Sequence, residues 1–181
     1  ARSFLGGLPV PIRISFGDIL KHEAEALVLP CNGSGIMGFV SLAGEVRRFA
    51  GRRLYLAYRA QCPMDVGDVT VIDAVAPMKQ RRIVLACTMI RPGTPIPLEH
   101  VTRTTQSVLE AAHREGFESL AWPLLGAGGG RVRPEFSFQA MYEGIAAYRN
   151  SRGYDPDICV VERDYHKFRE LEASFQQVVG A

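Results

Sequence analysis

Apolar and polar positions along the chain switch between two periods. Residues 10–15 (VPIRIS) alternate one by one. Residues 26–30 (ALVLP), 68–74 (DVTVIDA), 82–89 (RIVLACTM), 119–125 (SLAWPLL) and 157–163 (DICVVER) are short runs dominated by apolar and β-branched side chains. These segments predict strands. Elsewhere the spacing is helical. It spans 41–59, broken near Gly51, and 97–115, where Val101, Val108, Leu109 and Ala112 form a stripe. Pro97 suits the first turn of that helix and Gly116 ends it. A third helix is expected over 134–150, with Phe138, Met141, Ile145 and Tyr148 on one side and Gly153 closing it, and a last one over 167–179. Strands alternating with amphipathic helices predict an α/β fold in which helices cover both faces of a largely parallel sheet. Ligands of such sheets bind beyond the carboxyl ends of the strands. The two most glycine-rich segments, 32–44 and 126–131, fall there.

Composition narrows the classes. The chain has 181 residues, 47% of them apolar, which is enough for one domain with its own core; that domain is expected over 1–181, with a core from about 10 to 179. The formal net charge of +2 is far from that of a dedicated DNA-binding domain, though it leaves room for local contact with nucleic acid. No apolar run approaches the ~20 residues of a membrane span. The longest, 83–90, suits a buried strand. The opening Ala-Arg-Ser-Phe-Leu carries no apolar stretch of signal-peptide length and no Met, as expected of a processed chain or a piece of a longer one. Cys31, Cys62, Cys87 and Cys159 form no C-x-x-C pair and no zinc spacing, so neither metal nor cofactor is expected. They read as buried thiols of a reducing, intracellular (cytoplasmic or nuclear) protein.

The glycine segments carry the candidate chemistry. The second reads Gly126-Ala127-Gly128-Gly129-Gly130-Arg131 and leads into a helix. Its uncovered amides and the helix start suit an anion, with charge from Arg131 and Arg133. It is not a P-loop, for no Gly-Lys-Ser/Thr follows. It is not a Rossmann fingerprint either, for Arg131 stands where the third glycine belongs. The first loop, after Cys31, also opens a helix, and a second anion-suited loop beside the first would suit a diphosphate. Asn32 offers an amide donor and acceptor for a ribose hydroxyl, or serves as a turn former. Asp18, after Gly17, is either a cap or an acceptor for an exocyclic amine such as that of adenine. His22, His100, His113 and His166 are scattered, and Trp122 reads as core. Arg47, Arg48, Arg52 and Arg53 form either a solvated helix face or a basic patch for a polyanion such as RNA.

Together these residues resemble the macro domain family of ADP-ribose-binding modules over about 12–175. Gly17-Asp18-Ile19 resembles its opening motif, Leu29-Pro30-Cys31-Asn32 its strand ending in Asn, and Leu42-Ala43-Gly44-Glu45-Val46-Arg47-Arg48-Phe49-Ala50-Gly51 its first long helix. Gly67-Asp68-Val69-Thr70 is similar to its Gly…Thr strand opening, and Trp122-Pro123-Leu124-Leu125-Gly126-Ala127-Gly128-Gly129-Gly130 to its second phosphate loop. The resemblance implies a three-layer α/β/α sandwich and a cleft for ADP-ribose. Asp18 and the Ile19 amide would meet adenine. Gly126, Ala127, Gly128, Gly129, Gly130 and Arg131 would cradle the diphosphate. Asn32 with Gly38, Phe39, Val40, Ser41 and Leu42 would line the distal ribose. Glu162 or Arg163 falls near adenine in place of the common aromatic.

Two departures bear on activity. The acid that hydrolytic members place in loop one falls here on Ala43, which cannot activate water. Phe39, Val40 and Ser41 stand where the resemblance places a run of glycines, and the bulkier Phe39 and Val40 are expected to narrow the ribose end. The resulting expectation is a binding module for ADP-ribose or ADP-ribosylated protein without efficient hydrolysis. The alternatives are a mono-ADP-ribosyl or O-acetyl-ADP-ribose hydrolase, and a degenerate domain acting as a protein or RNA surface.

Overall fold

A computed structural model of the chain describes residues 12–180. Six strands, β1 (Ile12–Phe16), β2 (Ala26–Asn32), β3 (Val69–Asp73), β4 (Arg82–Met89), β5 (Ser119–Trp122) and β6 (Asp157–Glu162), form one sheet in the order β1-β6-β5-β2-β4-β3. Every pairing is parallel except that of the edge strand β3 with β4. Four helices accompany them: α1 (Leu42–Arg59), α2 (Leu98–Glu115), α3 (Pro134–Arg152) and α4 (Tyr165–Val178).

The strands sort their side chains by alternation. Leu27 and Leu29 of β2, with Ile83 and Leu85 of β4, face α1 and meet Val46, Leu54 and Tyr58. Ala26, Val28, Val84, Leu120, Trp122 and Val160 face the other way, onto Val108, Phe138, Met141 and Ile145 of α2 and α3. Both faces are thus covered, which is why β2 and β4 read as unbroken apolar runs. Each fully buried Leu or Ile contributes about 1.5–3 kcal/mol. Trp122 is core, as expected. All four cysteines are free; Cys31, Cys87 and Cys159 are buried and Cys62 is half-buried. Among the described residues no helix is long and apolar enough to cross a membrane.

Element limits depart from the sequence pattern for local reasons. Residues 10 and 11 of the first expected strand lie outside the described residues. β5 stops at Trp122 rather than 125, because Pro123 has no N–H for the ladder. Leu124 and Leu125 are buried all the same. Pro97 is the cap of α2 rather than part of its first turn, and α3 runs on to Arg152 before Gly153 closes it in the left-handed conformation. The last helix begins at Tyr165, not 167, because the Asp164 carboxylate accepts from the N–H groups of His166 and Lys167. Gly51 does interrupt α1, with φ 77° and ψ −169°.

Candidate functional site

β2 and β5 pair only at Ala26–Leu120 and Leu27–Ala121. Beyond that point β2 feeds α1 on one face of the sheet, whereas β5 feeds α3 on the other. Chains leaving neighbouring strands in opposite directions open a crevice. Here it is a cleft of about 730 Å³ that extends to the ends of β1 and β6. From β1 to β2 is three inter-strand spacings, or about 14 Å.

At the β1–β6 end stand Asp18 and Ile19. The Gly17 N–H donates to the Glu162 carbonyl (3.0 Å), tying this turn to β6. Asp18 Oδ1 accepts from Leu20 N (3.0 Å) and caps the single 3-10 turn Ile19–Lys21, while Oδ2 lies 3.9 Å from Lys21 Nζ. One carboxylate oxygen therefore remains for an external donor. Buried Gln80 holds the turn from below, its Nε2 donating to the Ile19 carbonyl (3.0 Å). Arg163 also lines the cleft, where its guanidinium pairs with Glu45 of α1. Glu162 Oε1 accepts from the N–H groups of Arg163 and Asp164, both at 2.8 Å. Backbone N–H donors, that of Lys167 foremost, hold the Asp164 carboxyl below its ordinary range.

Asn32 ends β2 and is only 7% exposed. Its amide is engaged in loop one: Nδ2 donates to the Ile36 carbonyl (2.5 Å), and Oδ1 accepts from Ser34 Oγ (2.7 Å) and Ile36 N (3.2 Å). The turn-forming role is thus the one visible, with the residue still on the cleft wall. Tyr58 fixes its backbone, the hydroxyl donating to the Asn32 carbonyl (2.5 Å) and accepting from Asn32 N (3.3 Å). Burial pushes the Tyr58 phenol above its ordinary range. Ser41 caps α1, accepting from Gly44 N (3.2 Å) and donating to the Gly38 carbonyl (2.9 Å). A Cβ on Gly44 would lie 1.9 Å from that carbonyl oxygen, so only glycine lets loop one fold over the helix start.

Gly38, Phe39, Val40, Ser41 and Leu42 all line the cleft. Phe39 and Val40, expected to narrow it, instead stand at the rim, 82% and 98% exposed. Arg48 Nη1 donates to the Phe39 carbonyl (2.7 Å), which orients this turn outward. Arg47, Arg52 and Arg53 are exposed on the same helix, Arg47 lying over the Tyr55 ring. Ala43 is 7% exposed and also lines the cleft.

Loop two is braced from several sides. Val132 N donates to the Gly126 carbonyl (3.0 Å), Arg131 N to the Gly128 carbonyl (3.1 Å) and Ile96 N to the Gly130 carbonyl (3.2 Å). Ser137 of α3 holds the Leu125 carbonyl from beneath (2.7 Å). The N–H groups of Gly128, Gly129 and Gly130 find no acceptor among the described residues. They sit just ahead of the start of α3, where unpaired amides and the helix dipole both favour an anion. Gly126, Ala127, Gly128, Gly129 and Gly130 line the cleft; Arg131 does not. Arg131 takes a left-handed backbone (φ 56°) and is exposed, and Arg133 pairs with Glu135 (2.9 Å). Neither arginine supplies the charge expected of it. Lys167 of α4 does reach the loop, its Nζ 3.1 Å from the Ala127 carbonyl oxygen.

The cleft thus offers an acceptor at one end, a row of free amides in the middle and a capped glycine loop at the other end. Each of its carboxylates, Asp18, Glu45, Glu162 and Asp164, uses an oxygen in a backbone hydrogen bond or an ion pair. Sequence reasoning missed Glu45, Tyr58 and Lys167, which reach the site only through tertiary contacts.

Comparison with known proteins converges on one family. The Macro domain sequence model matches residues 28–141. An uncharacterized protein of Aeropyrum pernix is 31% identical over 170 residues, covering 93% of this chain and 87% of its own. The macrodomain of Thermus aquaticus DarG superposes with a TM-score of 0.70 at 27% identity, over 83% of this chain and 97% of that one. A Trypanosoma brucei macrodomain, solved in complex with ADP-ribose, shares the fold with a TM-score of 0.78 at 15% identity, over 90% of this chain and 68% of its own. With two braced glycine loops on either side of a sheet crevice and a family match over most of the strands that form it, the chain belongs to the macro domain family.

Proposed function

We propose that the cleft binds ADP-ribose, free or carried on a protein, and holds it without efficient hydrolysis. The observation that carries this reading is the row of unpaired amides at Gly128, Gly129 and Gly130, lying between Asp18 at one end and loop one at the other. A diphosphate on those amides puts adenine within reach of Asp18 Oδ2 and the Ile19 backbone. It puts the second ribose beside Asn32 and the Gly38–Leu42 turn. The structure of a related macrodomain with ADP-ribose supports the same ligand class. Ala43 supports binding over hydrolysis, since it puts no general base beside the Gly38–Leu42 turn, and the nearby Glu45 is ion-paired with Arg163. A ligand that is itself part of a polyanion, such as poly-ADP-ribose or RNA, would extend onto the exposed Arg47, Arg52 and Arg53.

Calorimetric titration of ADP-ribose, with AMP and ribose 5-phosphate as controls, tests the reading. Saturable micromolar binding, about −8 kcal/mol, is expected. Absence of heat and of competition would overturn it in favour of a protein or RNA surface. Incubation with mono-ADP-ribosylated protein separates binder from hydrolase: release above the buffer control identifies a hydrolase.

A further inference from the structure

We propose that Lys167 is the diphosphate-recognition side chain of this cleft. The proposal rests on the ADP-ribose reading and adds to it a charge that decides between ligands with and without a diphosphate.

ADP-ribose carries one negative charge on each of its two phosphates, about two in all, and the single phosphate of AMP carries nearly as much. The cleft it enters is lined by four carboxylates and only two cations, Arg163 and Lys167, among the described residues. Arg163 is paired with Glu45. Lys167 is half-buried and forms no ion pair within 4.0 Å among the described residues. Its position is fixed twice. The Asp164 cap sets the start of α4, with Lys167 N donating to Asp164 Oδ1 (3.1 Å), and Nζ donates to the Ala127 carbonyl (3.1 Å). That carbonyl belongs to the same loop as the three unpaired amides. An ammonium has three N–H donors. One is held by the Ala127 carbonyl, and the other two have no acceptor among the described residues of the cleft wall. Amides alone bind any phosphate; a cationic donor on the same loop favours a ligand that presents two phosphates, one to the amides and one to the ammonium, over a ligand of similar charge that presents a single phosphate.

The experiment measures affinity for ADP-ribose, AMP and adenosine, at two salt concentrations, in the wild type, Lys167→Met, Lys167→Gln and Lys167→Arg. Lys79→Met, exposed in the β3–β4 link and outside the cleft, controls for net charge. Lys167→Met is expected to weaken ADP-ribose about tenfold, AMP less and adenosine not at all. Its ADP-ribose affinity should also depend less on salt. Lys167→Arg should retain most of the affinity, and Lys167→Gln, which can still donate to Ala127, should behave like Met. Unchanged ADP-ribose affinity in Lys167→Met overturns the proposal while leaving the binding reading intact. Rescue by Gln but not Arg also overturns it, since the side chain would then only strap the loop. A wild type that binds no ADP-ribose removes the reading and the proposal together.

Discussion

Gly126 and Gly128 sit two positions apart in loop two and should answer differently to a side chain. A Cβ on Gly128 meets nothing within 4 Å. Gly128→Glu should therefore fold with an unchanged melting temperature, yet lose ADP-ribose binding by more than about a hundredfold, because its carboxylate enters the anion cradle. Gly126 has φ 77°, and its Cβ would lie 2.7 Å from Ile96 Cδ1. Gly126→Ala should cost about 1–3 kcal/mol in denaturant unfolding. At the other end, Asp18→Ala should weaken AMP and ADP-ribose but leave ribose 5-phosphate untouched; equal losses on all three would refute the adenine role. These positions were legible in the sequence because each is a local signature: an Asp after Gly, an Asn ending an apolar strand, glycines ahead of a helix. Lys167 and Glu45 were not, since a lysine on a helix and a glutamate in a first turn look the same whether or not they line a cleft. Only the docking of α4 and α1 gives them a target.

The elements themselves were predictable where periodicity was strong and blurred where a single side chain decided the boundary. β4 and α2 fall within a residue of their pattern. α4 starts two residues early because of one carboxylate cap, and β5 ends three residues early because of one proline. Gly51 in α1 is a testable case. Its dihedrals lie in a region populated almost only by glycine, though a Cβ there has open space. Gly51→Ala should destabilise by about 1–3 kcal/mol through backbone strain alone. The pairing of β1 with β6 carries a pH dependence. Arg13 hydrogen-bonds Asp157 through Nε (3.1 Å) and Nη2 (2.7 Å) and holds that carboxyl below its ordinary range. Folding therefore favours the ionised form. This stabilisation is fully present above the ordinary carboxylate range and disappears as pH falls through the depressed folded value. Asp157→Asn should lower stability at neutral pH and flatten the loss below about pH 4 in a series of thermal melts.

At the scale of the molecule, the cleft is a property of the whole sheet. Its walls come from residues near 18, 32–45, 88–93, 123–130 and 161–167. Ligand binding should therefore stabilise the entire fold rather than one loop. At a hundredfold excess over the dissociation constant, ADP-ribose should add about 2.7 kcal/mol, seen as one cooperative melt moving upward. A shift confined to a separate early transition would contradict this. The parallel sheet with helices on both faces was visible in the alternation of the chain. The order of the strands was not, because nothing in β1 announces that its neighbour is the last strand.

That neighbour has a consequence for biosynthesis. Ile12 pairs with Ile158, and the Gly17 N–H is held by the Glu162 carbonyl. A nascent chain exposes the Asp18 turn well before β6 and cannot complete the wall around that turn until β6 has emerged. Long-range closure of this kind is slow relative to local helix formation. ADP-ribose present during translation thus meets no finished pocket before β6 and Lys167 have emerged, and nascent chains should acquire affinity for it only from that point.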